Sequence, residues 1–393
     1  MIYIFLFILL LLFSYHYDYR KKTTYKWSSF YFMLIVFILV AGLRYRLGVD
    51  SIRYESHHKY IPDLFSLDIS KMKEDSYDPL FYLMCCFSKT ISDDFWVMQM
   101  LQALWVNSVI FWFIKKNASH IFLALLFYFV FLYLNFMCEV MREACAVSAF
   151  LLSWNSYKQS HWVKYYILIV IAFLFHSSAI ILFLLPFFKW LRLNKYLFIL
   201  FPCLFLCGFY LQRTFFDYLQ LFYISERITN KVVGYSMNDL SGQVCNVVGA
   251  IAIIILNVLY PFIALYFYKL QKKLSYSEYE PMVIMCAIFA IMSIPIAIFY
   301  RYNNYFMPFC IIILSDFVYN KLYLTSISVI KQHSYFLFFI LLFPYFGLKI
   351  YGYFASVGES KSQEYMRYFP YSSIIDKSID QQRESVFYYY NAW

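Results

Sequence analysis

Long apolar runs separated by short polar and basic stretches set the pattern of this chain. About 20 apolar residues make a helix long enough to cross the hydrocarbon core of a bilayer. Such runs predict spanning helices at about 27–43, 95–114, 119–138, 140–156, 195–211, 246–268, 281–300, 304–320 and 334–354, after a first apolar helix over 1–13. That first run has no basic residues before it and no small-residue cleavage site after it, so it is expected to be a retained helix rather than a signal peptide. Two stretches break the pattern. Residues 79–91 are short and end at Lys89 ahead of Ser92-Asp93-Asp94, and 165–188 is interrupted by His176-Ser177-Ser178. The expected architecture is an all-α polytopic integral membrane protein of about ten transmembrane helices plus two partial or re-entrant segments.

Composition sharpens the class. Of 393 residues, 63% are hydrophobic and 14% charged, and Phe (45) and Tyr (41) alone demand lipid as solvent. The mean hydropathy is +0.60. The net charge of +10 falls in small clusters between apolar runs, the pattern of membrane topology rather than of a nucleic-acid groove. Most of the nine cysteines lie inside apolar runs, and no CxxC pair or disulfide framework is visible.

The basic clusters orient the chain. Arg20, Lys21, Lys22 and Lys26 place the first loop in the cytoplasm. If 79–91 dips in without crossing and 165–188 is a broken hairpin, the clusters at 115–116, 158–164, 189–195 and 269–273 fall on that same side. Both termini are then outside. Residues 1–354 form the transmembrane domain, with extracytoplasmic loops 44–78 and 212–245. Residues 355–393 form a polar, aromatic-rich extracytoplasmic tail able to pack back onto the outer face.

Candidate chemistry gathers on that face. Arg44, Arg46 and Asp50, followed by Arg53 and Tyr54, sit where a long apolar helix ends. Guanidinium groups are costly to desolvate at such a boundary, and their planar fork suits bidentate phosphate binding. Glu139, Arg142 and Glu143 share a helical face between two apolar runs, His176 falls at the break in 165–188, and Arg301 ends the 281–300 helix. Each has a plainer alternative: snorkelling arginines, a structural ion pair, a core histidine, an interfacial anchor. Their shared location is what singles them out.

Four motifs carry a resemblance. Arg44-Tyr45-x-x-Gly48-x-Asp50-x-x-x-Tyr54, Arg142-Glu143-x-x-Ala146, His176-Ser177-Ser178-Ala179 and Arg301-Tyr302 resemble, in order and spacing, those of EpsG-like proteins, Wzy-type polymerases of capsular, exopolysaccharide or O-antigen repeat units. The tail segment 365–371 is similar to that family's C-terminal end. The chain departs from the pattern at Glu143, where Gln is usual, and at Val49, where Thr is frequent. The resemblance implies a glycosyltransferase-C-like helical architecture in the bacterial inner (cytoplasmic) membrane, crossed many times. It also implies a substrate, an oligosaccharide repeat linked to undecaprenyl pyrophosphate on the outer leaflet. The growing glycan passes from its lipid pyrophosphate to a sugar hydroxyl of a fresh unit.

Such chemistry needs cations facing the departing pyrophosphate, for which Arg44, Arg46, Arg142 and Arg301 are the candidates. It needs a base for the acceptor hydroxyl, for which Asp50, Glu139 and His176 remain open. Arg53, Tyr54 and Tyr302 are expected to bind substrate. No DxD triplet occurs, and arginines can replace a metal, so no cofactor and no divalent ion are expected. A chain-length regulator and a flippase are the expected protein partners. The competing readings are a lipid-linked oligosaccharide flippase or other transporter, an O-antigen ligase, and a membrane O-acyltransferase built on His176.

Overall fold

Between Lys26 and Gly42 the chain is apolar at most positions and free of proline, and it forms one unbroken helix, α2. The computed structural model describes residues 2–192, 196, 199–208, 210, 278–293, 299–323, 354, 356–357 and 362–391. They fall into two compact units, Met1–Pro186 with Tyr351–Trp393, and Phe187–Ile350.

The first unit opens with α1 (Ile2–Phe13), which runs on into a π-helical turn to Tyr19. Ile4, Phe5, Ile8, Leu11 and Leu12 of α1 and Phe32, Ile35 and Leu39 of α2 leave large apolar side chains exposed. Water would penalise those faces, and acyl chains would not. Helix α6 (Phe95–Asn117) packs along α2, with the Phe37 and Phe111 rings 5.3 Å apart. Helix α7 (Ile121–Tyr128) continues through two π-helical segments, Phe129–Tyr133 and Asn135–Glu139. The wider π turns disturb the backbone ladder, and side-chain hydrogen bonds tie these segments to the neighbouring helices. Gln102 Nε2 donates to the Phe136 carbonyl (3.1 Å), and the Tyr133 hydroxyl donates to that of Phe37 (2.7 Å). Helices α8 (Met141–Lys158) and α9 (Trp162–Phe175) form a hairpin. His176 then leaves the helical path, and Ser177–Phe188 is a 3₁₀ helix, so the interruption expected at His176 is present.

Two described helical stretches have the length and apolarity of a membrane span, Ile2–Tyr19 and Phe95–Asn117. Other described apolar helices, such as Trp162–Phe175 and Ile199–Gly208, are shorter. An all-helical architecture is therefore what the structure supplies, and ten crossings stands as the expectation from sequence. The spans expected at 246–268 and 334–354 and the loop 212–245 lie outside the described residues. In the second unit, Glu280–Met292 packs on Tyr300–Tyr323, and Arg192 reaches Glu280 at 3.7 Å.

A layer of short elements covers one end of the first unit: α3 (Val49–His58), α4 (Ile69–Glu74), α5 (Pro79–Ile91) and the tail. Asp78-Pro79 starts α5, the ring of proline at the first helical position having no N–H to lose. The tail is stitched to the end of α2 by backbone hydrogen bonds, Tyr45 N–H to Ser372 O and Ile374 N–H to Leu43 O, both 2.9 Å. Its last helix, Gln381–Asn391, is capped by Asp380, whose Oδ1 accepts from the Gln382 and Arg383 N–H groups. Arg383 is 1% exposed and donates to the carbonyls of Met366 and Pro370. Loop 44–78 and the tail thus share one layer. Cysteines introduced at Tyr60 and Ile375, exposed by 87% and 86%, should react with an impermeant maleimide from one and the same side of the membrane. Opposite-side labelling would dissolve the layer.

Candidate arginine-rich site at the end of the bundle

The turn from α2 into α3 builds the site. Gly48, at φ +91° and ψ 145°, lies in a region essentially closed to other residues, and it donates its N–H to Arg367 O at 2.8 Å. This turn brings the start of α3 against Glu139 at the end of the α7 extension. Glu139 Oε1 and Oε2 accept the N–H groups of Val49 and Asp50, each at 3.2 Å, and the Tyr368 hydroxyl donates to Oε1 at 2.7 Å. Arg367 adds a cation at 3.8 Å. A carboxylate at a helix N-terminus is stabilised both by those donors and by the helix dipole. Glu139 therefore acts as the cap of α3, with its oxygens already engaged.

Arg44 is 1% exposed, the largest charged group to be so fully buried beside Arg383. Its guanidinium donates to the Ala41 carbonyl and, at 3.4 Å, to Met141 Sδ, while its Nε meets no acceptor. Arg142, the residue after Met141, lies over the rings of Tyr77 (5.0 Å) and Tyr54 (6.0 Å) and donates to Ser76 O at 3.3 Å. Its Nε is also buried without an acceptor. Among the described residues neither arginine forms an ion pair with a carboxylate. For Arg44, a buried cation without a carboxylate, the cost is several kcal/mol, of the order found for uncompensated buried charge; Arg142 is half-buried. Arg46 differs. It clasps Glu384 bidentately at 3.0 and 2.7 Å, with Glu55 at 3.5 Å, and the Glu384 hydrogen bond foremost pushes its pKa up. The structure thus gives Arg46 to the tail.

A cavity of about 330 Å³ opens beside these groups. Arg44, Arg46 and Lys377 supply its cations, Glu55 and Asp94 its carboxylates, and Trp96 an aromatic wall. On α3, Ser51 and Glu55 face this cavity, whereas Asp50, Tyr54 and His57 recur at i, i+4 and i+7 and so form a separate stripe. Tyr54 is buried against Tyr77 and Phe81, and Arg53 is exposed. His58, on the cavity side of α3, is buried with Nε2 3.0 Å from Ser88 Oγ. Ser88 gives its own proton to Cys85 O, so His58 is the donor. Burial, with Lys89 nearby, pushes its pKa down to about 4, which keeps the ring neutral.

His176 is buried, and its ring turns back onto the start of the 3₁₀ helix. Its Nδ1 accepts the Ser178 N–H at 3.1 Å and lies 2.6 Å from Ser178 Oγ. Arg301 and Tyr302 belong to the second unit, where the Tyr302 ring packs 5.0 Å from Phe289. The structure therefore brings Arg44, Arg46, Asp50, Arg53, Tyr54, Glu139 and Arg142 into one layer of the first unit. Sequence reasoning missed His57, Asp75, Tyr77, Tyr368 and Glu384. The helical stripe through Asp50 and Tyr54 points to His57, and it was the one signal available for these.

Fold and site together define an all-helical protein, two of whose described helical stretches are long and apolar enough to cross a membrane, with an arginine-centred, carboxylate-lined layer at one end of its first unit. The EpsG family model matches residues 27–373. The chain belongs to the EpsG family, which places it in polysaccharide biosynthesis. Neither curated proteins nor solved structures yield a match to it.

Proposed function

We propose that this protein polymerises lipid-linked oligosaccharide repeats at the outer face of a bacterial cytoplasmic membrane. The growing glycan leaves its undecaprenyl pyrophosphate and bonds to a sugar hydroxyl of a fresh unit. The acceptor oxygen attacks the anomeric carbon, the carbon–oxygen bond to the pyrophosphate breaks, and the electron pair leaves on the phosphate oxygen. Family membership supports the reaction class. The observation that carries the site is the pair Arg44 and Arg142, each with a buried Nε that meets no acceptor and neither paired to a carboxylate. A pyrophosphate supplies what these guanidinium groups lack, and their planar forks match its oxygens. The charge developing on the leaving phosphate is then stabilised by arginine, with no divalent ion required.

Purified protein in liposomes, supplied with a lipid-linked repeat unit, should yield a ladder of products on a gel, unchanged by EDTA. A ladder that disappears with EDTA and returns with Mg²⁺ would transfer the role of charge stabilisation to a metal. Absence of any ladder, with transbilayer movement of the lipid instead, would favour the flippase reading.

A further inference from the structure

We infer that His57 is the base that takes the proton of the acceptor hydroxyl, with Asp75 positioning it; the inference rests on the polymerase reading above. His57 Nε2 lies 3.0 and 2.9 Å from the two carboxylate oxygens of Asp75. A proton on Nε2 satisfies that contact and leaves Nδ1 with a lone pair. Among the described residues Nδ1 makes no hydrogen bond. Asp75 is itself fixed by the Tyr77 N–H at 2.7 Å. The imidazole packs 4.2 Å from the Tyr77 ring, and the Arg142 guanidinium lies 5.0 Å from that same ring. One aromatic side chain therefore lies between base and cation and fixes their separation. His57 is half-buried, so a substrate can reach it.

The other candidate bases compare poorly. Glu139 spends its oxygens on two backbone donors and a tyrosine hydroxyl. His176 accepts a backbone N–H at Nδ1, so the neutral ring carries its proton on Nε2 and has no lone pair left. Burial raises the Tyr77 hydroxyl far above its ordinary pKa and keeps it protonated. Asp50 stays on the His57 stripe and is the comparison the experiment needs. In the step itself, the acceptor O–H bond breaks as oxygen bonds to the anomeric carbon. The proton moves to His57 Nδ1, and Asp75 balances the imidazolium until that proton passes to the aqueous side.

The pH dependence of kcat and kcat/KM on the lipid-linked repeat unit tests this. Among the described residues, the charged and titratable groups around His57 are Asp75 and Tyr77 on the segment between α4 and α5, Arg142 from α8, and Arg53, Tyr54 and His58 on α3. Wild type should lose activity on an acidic limb, where the base is protonated. His57→Gln should lower kcat by about 10²–10⁴-fold, the usual contribution of a positioned base, with KM little changed. Asp75→Asn should shift the acidic limb to lower pH, because a carboxylate no longer favours the imidazolium. Asp50→Asn should keep the limb where it is. If His57→Gln fails to accumulate, the Asp75→Asn shift decides alone. A normal kcat and an intact limb in His57→Gln, or an unshifted limb in Asp75→Asn, would reduce the pair to a tie between α3 and the segment before α5. Wild type that makes no ladder at all would overturn the polymerase reading and this inference together.

Discussion

Lysine at position 44 or 142 is expected to reduce the product to single repeat units while the protein still inserts and accumulates. Charge is conserved in both variants, and the planar fork is lost. A point charge on a flexible stem cannot hold two phosphate oxygens at once, and at Arg44 it would also abandon the paired contacts to Ala41 O and Met141 Sδ. Removing one donor aimed at a developing oxyanion costs about 10²–10³ in kcat elsewhere, and a similar loss is expected for each arginine. Arg46→Lys should behave differently. Its guanidinium is already shared between Glu384 and Glu55, so the expected effect is a looser tail rather than a dead site. Chain-length analysis of polymer from membranes with matched protein levels separates these outcomes. Full-length polymer from Arg142→Lys would leave that residue as a strut between α8 and Ser76.

The second large effect is expected from a single methyl group. In Gly48→Ala the new Cβ falls 2.6 Å from Cys138 Cβ and 2.8 Å from its carbonyl oxygen, at a φ of +91°. Neither problem has a side-chain solution, because the oxygen is backbone and the φ is disfavoured for any L residue. Strain of about 1–3 kcal/mol and overpacking of similar size add to a loss large enough to unfold the layer. The protein should fail to accumulate or should lose its monodisperse peak in detergent chromatography. Gly42→Ala offers a contrast, since the nearest atom there is the thioether sulfur of Met100, the far part of a flexible side chain. Its effect should be smaller. A stable, active Gly48→Ala would mean that the chain enters α3 by another route.

Much of the bundle was legible in the sequence because apolar length alone marks a helix in lipid. The run predicted at 27–43 became Lys26–Gly42, and that at 140–156 became Met141–Lys158. The break at His176 was legible too, because a polar triplet inside an apolar run has to go somewhere. The layer was harder. Its elements are short, amphipathic or irregular, and hydrophobic pattern says little about which of them meet. Arg44 and Arg142 stood out as cations at apolar borders, which is a local signal. That Arg46 is held by Glu384, 338 positions away, has no local signal at all. Glu139 was recognised as a charge out of place, yet its job as the cap of α3 depends on a helix that begins ninety residues earlier in the chain.

The stitching of the tail to the end of α2 has a consequence for how this protein comes into being. Leu43 and Tyr45 emerge in synthesis long before their partners Ile374 and Ser372. Contacts so remote in sequence form slowly, since the chain between them must first be placed. Until the tail has been made and delivered to the layer, Arg46 lacks Glu384 and Gly48 lacks the carbonyl of Arg367. A growing chain that has its first helices but not the tail therefore has the pieces of the layer without the bonds that close it.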